Sequence, residues 1–143
     1  MIRPVGINHV AFVVRDLDEA IDWYARYFDF TLRGRRETMA WIDLGDQFVA
    51  LSVGPPPAPD DGRHVGFVVD DKEGLRETLS AAGIDVPPSG PLRVRDPSGN
   101  QLEIVDYRDV QFSKTPAVLQ GMGLGDMEKS ESARAELEAK GLL

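Results

Sequence analysis

The sequence predicts an α+β protein of two βαβββ modules followed by a C-terminal extension, and three observations carry that prediction. The stretch His9-Val10-Ala11-Phe12-Val13-Val14-Arg15-Asp16 returns 55 residues later as His64-Val65-Gly66-Phe67-Val68-Val69-Asp70-Asp71, with six of the eight positions identical. Each copy is followed by apolar residues at helical spacing and then by further strand-like runs. Between the copies lies Gly54-Pro55-Pro56-Pro57-Ala58-Pro59-Asp60-Asp61-Gly62, which can sustain neither a helix nor a central strand. A supersecondary unit that occurs only twice is a duplication rather than a solenoid.

The runs at 9–14 and 64–69 are β-branched and aromatic, so each reads as a mostly buried strand. In the first module Asp16 can cap a helix and Glu19 can close a capping box. Leu17, Ala20, Ile21, Tyr24 and Phe28 then form one apolar helix face. Strands are expected over Thr31–Glu37, Met39–Leu44 and, after a Gly45-Asp46 turn, Gln47–Val53. The second module repeats the order with a helix over Lys72–Ala82, stopped by Gly83. A short strand near Ile84–Val86 is cut off by Pro87-Pro88, and a hairpin joins Leu92–Arg95 to Gln101–Tyr107 through the turn Asp96-Pro97-Ser98-Gly99-Asn100. The domain therefore covers 1–108, as modules 1–53 and 63–108 with linker 54–62. The extension, 109–143, should be loop-like through Gly121, Gly123 and Gly125, then helical from Met127 to Lys140 with Asp126 as cap.

At 143 residues the chain has room for one sizeable core. The 16 basic and 24 acidic residues leave a net charge of −8, of which only −1 falls from Tyr107 onward. That balance argues against nucleic acid and anionic membranes as partners. The chain has no cysteine, which removes disulfide and thiolate chemistry. No signal pattern and no apolar run of membrane-spanning length is present, so a cytoplasmic location is expected.

Both repeat copies open on histidine, and His9 and His64 are the only histidines in the chain. Glu103 lies in the otherwise apolar strand Gln101-Leu102-Glu103-Ile104-Val105. Aligning Gly45-Asp46 on Gly99-Asn100 puts Val49 at the corresponding place in the first module. A carboxylate on a partly buried apolar face is costly unless a cation or a metal accompanies it. Two histidines at equivalent strand starts plus one inward carboxylate fit a 2-His-1-carboxylate set for Fe, Mn, Ni or Zn as the divalent ion, with positions left open for water and substrate. Across the hairpin Arg93 should stand opposite Glu103, where it could clamp an anionic substrate oxygen. A structural ion pair to Glu103 is the alternative. Met39 takes the matching place in the first module, with Trp41 two residues on. Met39, Trp41 and Val49 are expected to wall a pocket, Trp41 offering a face for a planar ligand. Tyr107 is the remaining candidate, as a hydroxyl acid. Arg15, Arg26, Arg33, Arg35 and Arg36 read as solvated surface.

The paired His-Val-x-Phe-Val-Val strands, the helix after each, and Asp96-Pro97-x-Gly99-Asn100-x-Leu102-Glu103 resemble the vicinal oxygen chelate superfamily over about residues 5–108. That superfamily holds glyoxalases, extradiol dioxygenases, fosfomycin-resistance transferases and bleomycin-binding proteins. The resemblance implies a cup around a divalent metal, with His9, His64 and Glu103 as ligands, and a homodimer in which ligands from two chains can meet.

Departures from the family patterns narrow the expectation. Glyoxalase I and its near relatives place a fourth ligand where this chain has Phe48-Val49-Ala50-Leu51, none of which suits a metal. Extradiol dioxygenases use a further histidine, and none remains. Fosfomycin transferases carry a threonine where this chain has Ala11, and a lysine in the loop that here reads Ile84–Pro91. The sequence therefore predicts a metal-dependent enzyme of the glyoxalase or dioxygenase type acting on a small oxygen-rich substrate, its reaction class open. A bleomycin-resistance-type binding protein without catalysis is the alternative.

Overall fold

The computed structural model describes residues 1–58 and 61–143. They divide into one unit of Met1–Asp60 with Arg95–Asn100 and a second of Asp61–Val94 with Gln101–Leu143. Pro59 and Asp60, within the linker read from sequence, lie outside the described residues.

In the first unit the Val-rich repeat forms β1 (His9–Val14), followed by α1 (Leu17–Tyr27), β2 (Leu32–Arg35), β3 (Met39–Asp43) and β4 (Phe48–Val53). The sheet runs β1-β4-β3-β2, with β1 parallel to β4 and the other pairs antiparallel. Helix α1 starts where expected, because the Asp16 carboxylate accepts the Glu19 N–H at 2.8 Å. It packs against β4. Phe12, Val14, Ala40, Ile42, Val49 and Leu51 alternate with less buried neighbours and join Leu17, Ala20 and Tyr24 in the core. Each large side chain buried there contributes about 1.5–3 kcal/mol.

The Asp96–Asn100 turn belongs to this unit by its contacts. The buried Asp96 carboxylate accepts the Ser98 and Asn100 N–H groups, each at 2.9 Å, and the Asn100 side-chain amide at 2.8 Å. The Tyr24 hydroxyl donates to it at 3.2 Å. Burial, and then the Asp96 charge, push the Tyr24 hydroxyl far above its ordinary pKa, so it stays a donor. Asn100 also donates to the Val13 carbonyl, and the Arg15 N–H donates to Ser98 Oγ. Arg15 therefore ties the turn down through its backbone and through its side chain on the Pro97 carbonyl, rather than being solvated surface alone.

In the second unit the repeat forms β5 (Val65–Val69) and α2 (Lys72–Ala81), then β6 (Leu92–Arg95) and β7 (Gln101–Asp106) in a sheet ordered β5-β7-β6. The strand expected near Ile84–Val86 does not form: the described residues 84–91 are coil and turn. Their carbonyls are served instead by the buried Arg76, whose guanidinium donates to Pro87 O at 2.6 Å and Gly90 O at 2.7 Å. Glu73 holds the same guanidinium at 2.7 Å.

The extension differs from expectation at both ends. Pro116–Gly121 forms α3, capped by Thr115 with Pro116 in its first turn, a Thr-Pro signal that the glycines downstream obscured. Helix α4 spans Glu131–Ala139 and is capped by Ser130, not Asp126. Just before the cap, the Lys129 ammonium donates to the carbonyls of Tyr107, Val110 and Phe112, and the Ser130 N–H donates to the Arg108 carbonyl. Among the described residues no helix is long and apolar enough to cross a membrane.

Candidate functional site

In the first unit the strand ladder pairs His9 with Phe48, Ala11 with Ala50 and Trp41 with Ala50. Side chains two apart share a face, so His9, Ala11, Phe48, Ala50, Met39 and Trp41 stand on the sheet face away from the core. Phe48 lies flat on the His9 ring, with centroids 4.6 Å apart and planes 8° from parallel. His9 Nδ1 sits 2.9 Å from Asn8 Oδ1. Arg33 stands over the Phe48 ring and Arg36 over Trp41, at 5.1 and 5.7 Å from the centroids.

Val49 is not on this face. It is 1% exposed and belongs to the core. In the second unit Gly66 pairs with Glu103, and Gly66 repeats Ala11, so the counterpart of Glu103 is Ala50. The alignment at the turns slipped because the turns differ in length. Leu44 N–H bonds to Gln47 O in the first hairpin, whereas Asp96 N–H bonds to Asn100 O in the second, one residue longer. One residue of slip moves a side chain to the opposite face.

The second unit brings three of the expected residues together. His64 Nε2 is 2.9 Å from Glu103 Oε2, and an Arg93 guanidinium nitrogen reaches the same oxygen at 3.1 Å. Glu103 is 27% exposed and Arg93 48%, so this is a solvent-accessible pair worth at most about 1 kcal/mol, not a buried structural one. His64 Nδ1 lies 3.3 Å from the Gly62 carbonyl. An N–H at Nε2 donates to the Glu103 carboxylate, and only a cation taking the Nε2 lone pair would leave the ring proton on Nδ1, toward that carbonyl. A Cβ at Gly66 would meet nothing within 4 Å, so the space beside Glu103 is open.

Neutral imidazole and carboxylate oxygen are suitable donors for a borderline divalent cation. The His64–Glu103 pair fits such an ion as two of its ligands. His9 is an exposed imidazole in the first unit, with Nδ1 engaged by Asn8. Among the described residues no group of three or more His, Cys, Asp or Glu side chains is gathered that could hold a metal ion. Tyr107 serves the extension: it is buried, lines a cavity of about 50 Å³ with Val68, Phe112 and Met127, and carries the Lys129 ammonium 3.4 Å from its ring centroid. Burial lowers the Lys129 pKa. Sequence reasoning missed Phe48 and Gln101, the residues on β4 and β7 two positions before Ala50 and Glu103. Period-two alternation would have put Gln101 on the Glu103 face.

The model of a family described as the Glyoxalase/Bleomycin resistance protein/Dioxygenase superfamily matches residues 6–104. Glutathione transferase FosA of Serratia marcescens is 29% identical over 111 residues, covering 69% of this chain and 79% of its own. Metallothiol transferase FosB of Shouchella clausii is 27% identical over 114 residues, covering 69% of this chain and 78% of its own. A solved structure of a possible glyoxalase from Bacillus cereus shares the fold at a TM-score of 0.63 and 24% identity, covering 71% of this chain and 99% of its own.

Proposed function

Because the chain belongs to the Glyoxalase/Bleomycin resistance protein/Dioxygenase superfamily, we propose that it is a divalent-metal-dependent enzyme acting on a small oxygen-rich substrate, with His9, His64 and Glu103 as its metal-holding residues. The observation that carries the reading is the convergence of His64 Nε2 and the Arg93 guanidinium on Glu103 Oε2. An imidazole, a carboxylate and a guanidinium on one accessible sheet face have little structural worth. They are of use to a cation and an anion arriving together. Held there, Fe(II), Mn(II), Ni(II) or Zn(II) would supply Lewis acidity toward a substrate oxygen.

The protein's own groups then have distinct tasks. Glu103 contributes the negative charge that offsets a divalent ion. With a cation at Nε2, the His64 ring proton would sit on Nδ1, 3.3 Å from the Gly62 carbonyl. Arg93 clamps an anionic substrate oxygen, taking the place of a loop lysine that residues 84–91 lack. Two relatives are named as a glutathione transferase and a metallothiol transferase, which favours group transfer among the reaction classes. Trp41 is faced by Arg36, which leaves a bleomycin-type binder less aromatic surface to use.

A homodimer completes the reading. β1 is an outer strand of its sheet, and Ile2, Val5 and Ile7 leading into it are exposed, offering backbone and apolar surface to a second copy. A monomeric mass by light scattering would contradict that part.

The test is metal analysis of protein purified without chelators, beside thermal unfolding with each added ion. Near-stoichiometric metal and a raised melting temperature are expected. Substoichiometric metal with no stabilisation by any of the four ions would overturn the enzyme reading in favour of a binding protein.

A further inference from the structure

We propose that Gln101 reads the substrate: its Oε1 accepts a hydrogen bond from a hydroxyl or amine that the substrate carries next to the anionic oxygen held by Arg93. The inference rests on the metal-dependent reading and names its substrate class, a small 2-hydroxy or 2-amino acid anion.

Three observations converge on this residue. Among the described residues, Gln101 Oε1 is the one buried side-chain oxygen or nitrogen with no hydrogen-bond partner. Buried acceptors are paired almost without exception, so an orphan calls for a donor from outside the chain. Gln101 also precedes Glu103 by two residues on β7, which puts its side chain on the face that carries Glu103 and Arg93. The third observation is the repeat itself. Val65 pairs with Leu102, so one step back along the parallel register Gln101 comes beside His64. The first unit has Phe48 at that place, stacked on His9. An aromatic ring there closes over its histidine and leaves nothing unsatisfied. The second unit has an amide instead, at a position where the fold makes no demand for one.

The chemistry of the face then defines what it selects. Arg93 supplies donors to an anionic oxygen, and Gln101 Oε1 supplies an acceptor that only a ligand N–H or O–H can satisfy. A site built to hydrogen-bond a substrate hydroxyl rejects the analogue that lacks it, because the buried acceptor is then left unpaired.

The test uses the full chain loaded with Zn(II), titrated with lactate and with propionate, which differ only in the hydroxyl. Wild type and Gln101→Met are compared. Any direct affinity of the hydroxyl for the metal is common to both proteins, so the change in the lactate-to-propionate affinity ratio isolates Gln101. The ratio should fall about tenfold in Gln101→Met, and the metal-free variant should melt at a higher temperature than wild type, since an unsatisfied buried amide has been removed. A residue with only a structural role would lower that melting temperature. An unchanged ratio, or a variant that melts lower, refutes the role of Gln101 alone. Wild type that takes up no Zn(II) refutes the metal-dependent reading beneath it, and this inference falls with it.

Discussion

In the first unit Phe48 lies flat on His9, and Ala50 follows it along β4. The second unit has Gln101 one step before the Val65–Leu102 pair and then Glu103, paired with Gly66. On the opposite face nothing of that kind has changed: Val49 and Leu51 are as buried as Leu102 and Ile104. A close-packed core resists change in volume and polarity, whereas the free face of a strand with period two can diverge independently. The duplicated scaffold therefore holds one aromatic face, which carries His9, and one ionic face, which carries the other two proposed metal-holding residues, His64 and Glu103.

If the core faces are equivalent, truncating them should cost alike. Leu51→Ala and Ile104→Ala should each destabilise by about 2–5 kcal/mol in chemical denaturation, and a near-neutral result for either would break the equivalence. The hairpin turns should differ. Asp96→Ala strands several donors around a buried carboxylate and should cost about 2–3 kcal/mol. Asp43 in the shorter first turn accepts only the exposed Gly45 N–H among its bonds at that turn, and Asp43→Ala should cost under about 1 kcal/mol.

Acid should act on the second unit. Asp106 stands where the first unit has Val53, and its pKa is lowered to about 2, first by the Arg108 side chain and further by the backbone N–H groups of Arg108 and Lys72. A depressed carboxylate contributes stability that is complete above its unfolded pKa and is lost as pH falls through its folded one. The loss should run between about pH 4 and pH 2 and amount to about 1–2 kcal/mol, discounted for the exposed Arg108. Asp106→Asn should flatten that limb of the acid-unfolding curve. The smallest effect is expected at Glu103, where Glu103→Leu in metal-free protein should shift stability by no more than about 1 kcal/mol, because the pair with Arg93 is solvent-accessible. A loss of 3–5 kcal/mol would mark a structural ion pair instead.

The residues made most of this legible in advance. The repeated strand, the Asp16 cap and the hairpin through Asp96–Asn100 all follow from local patterns, and the structure has each of them. The contact of Arg93 with Glu103 followed from hairpin pairing. The misses came from non-local effects. Turn length set which face Val49 occupies, and a one-residue difference between turns cannot be weighed until the ladder is seen. Arg76 reaches across from α2 to the carbonyls of Pro87 and Gly90, in the segment that follows the expected strand at Ile84–Val86. Ser130 caps α4 next to Lys129, whose ammonium is held by carbonyls more than a dozen residues upstream.

The account stands on Glu103 as the residue that makes the second face a metal-binding one. Titration of metal-free wild type and Glu103→Gln with Mn(II) and Zn(II), followed by calorimetry, tests that directly. Glutamine keeps nearly the volume and removes the charge, so affinity should fall by at least about 100-fold while the unfolding midpoint of the metal-free protein stays close to wild type. Affinity in Glu103→Gln equal to that of wild type would contradict the assignment.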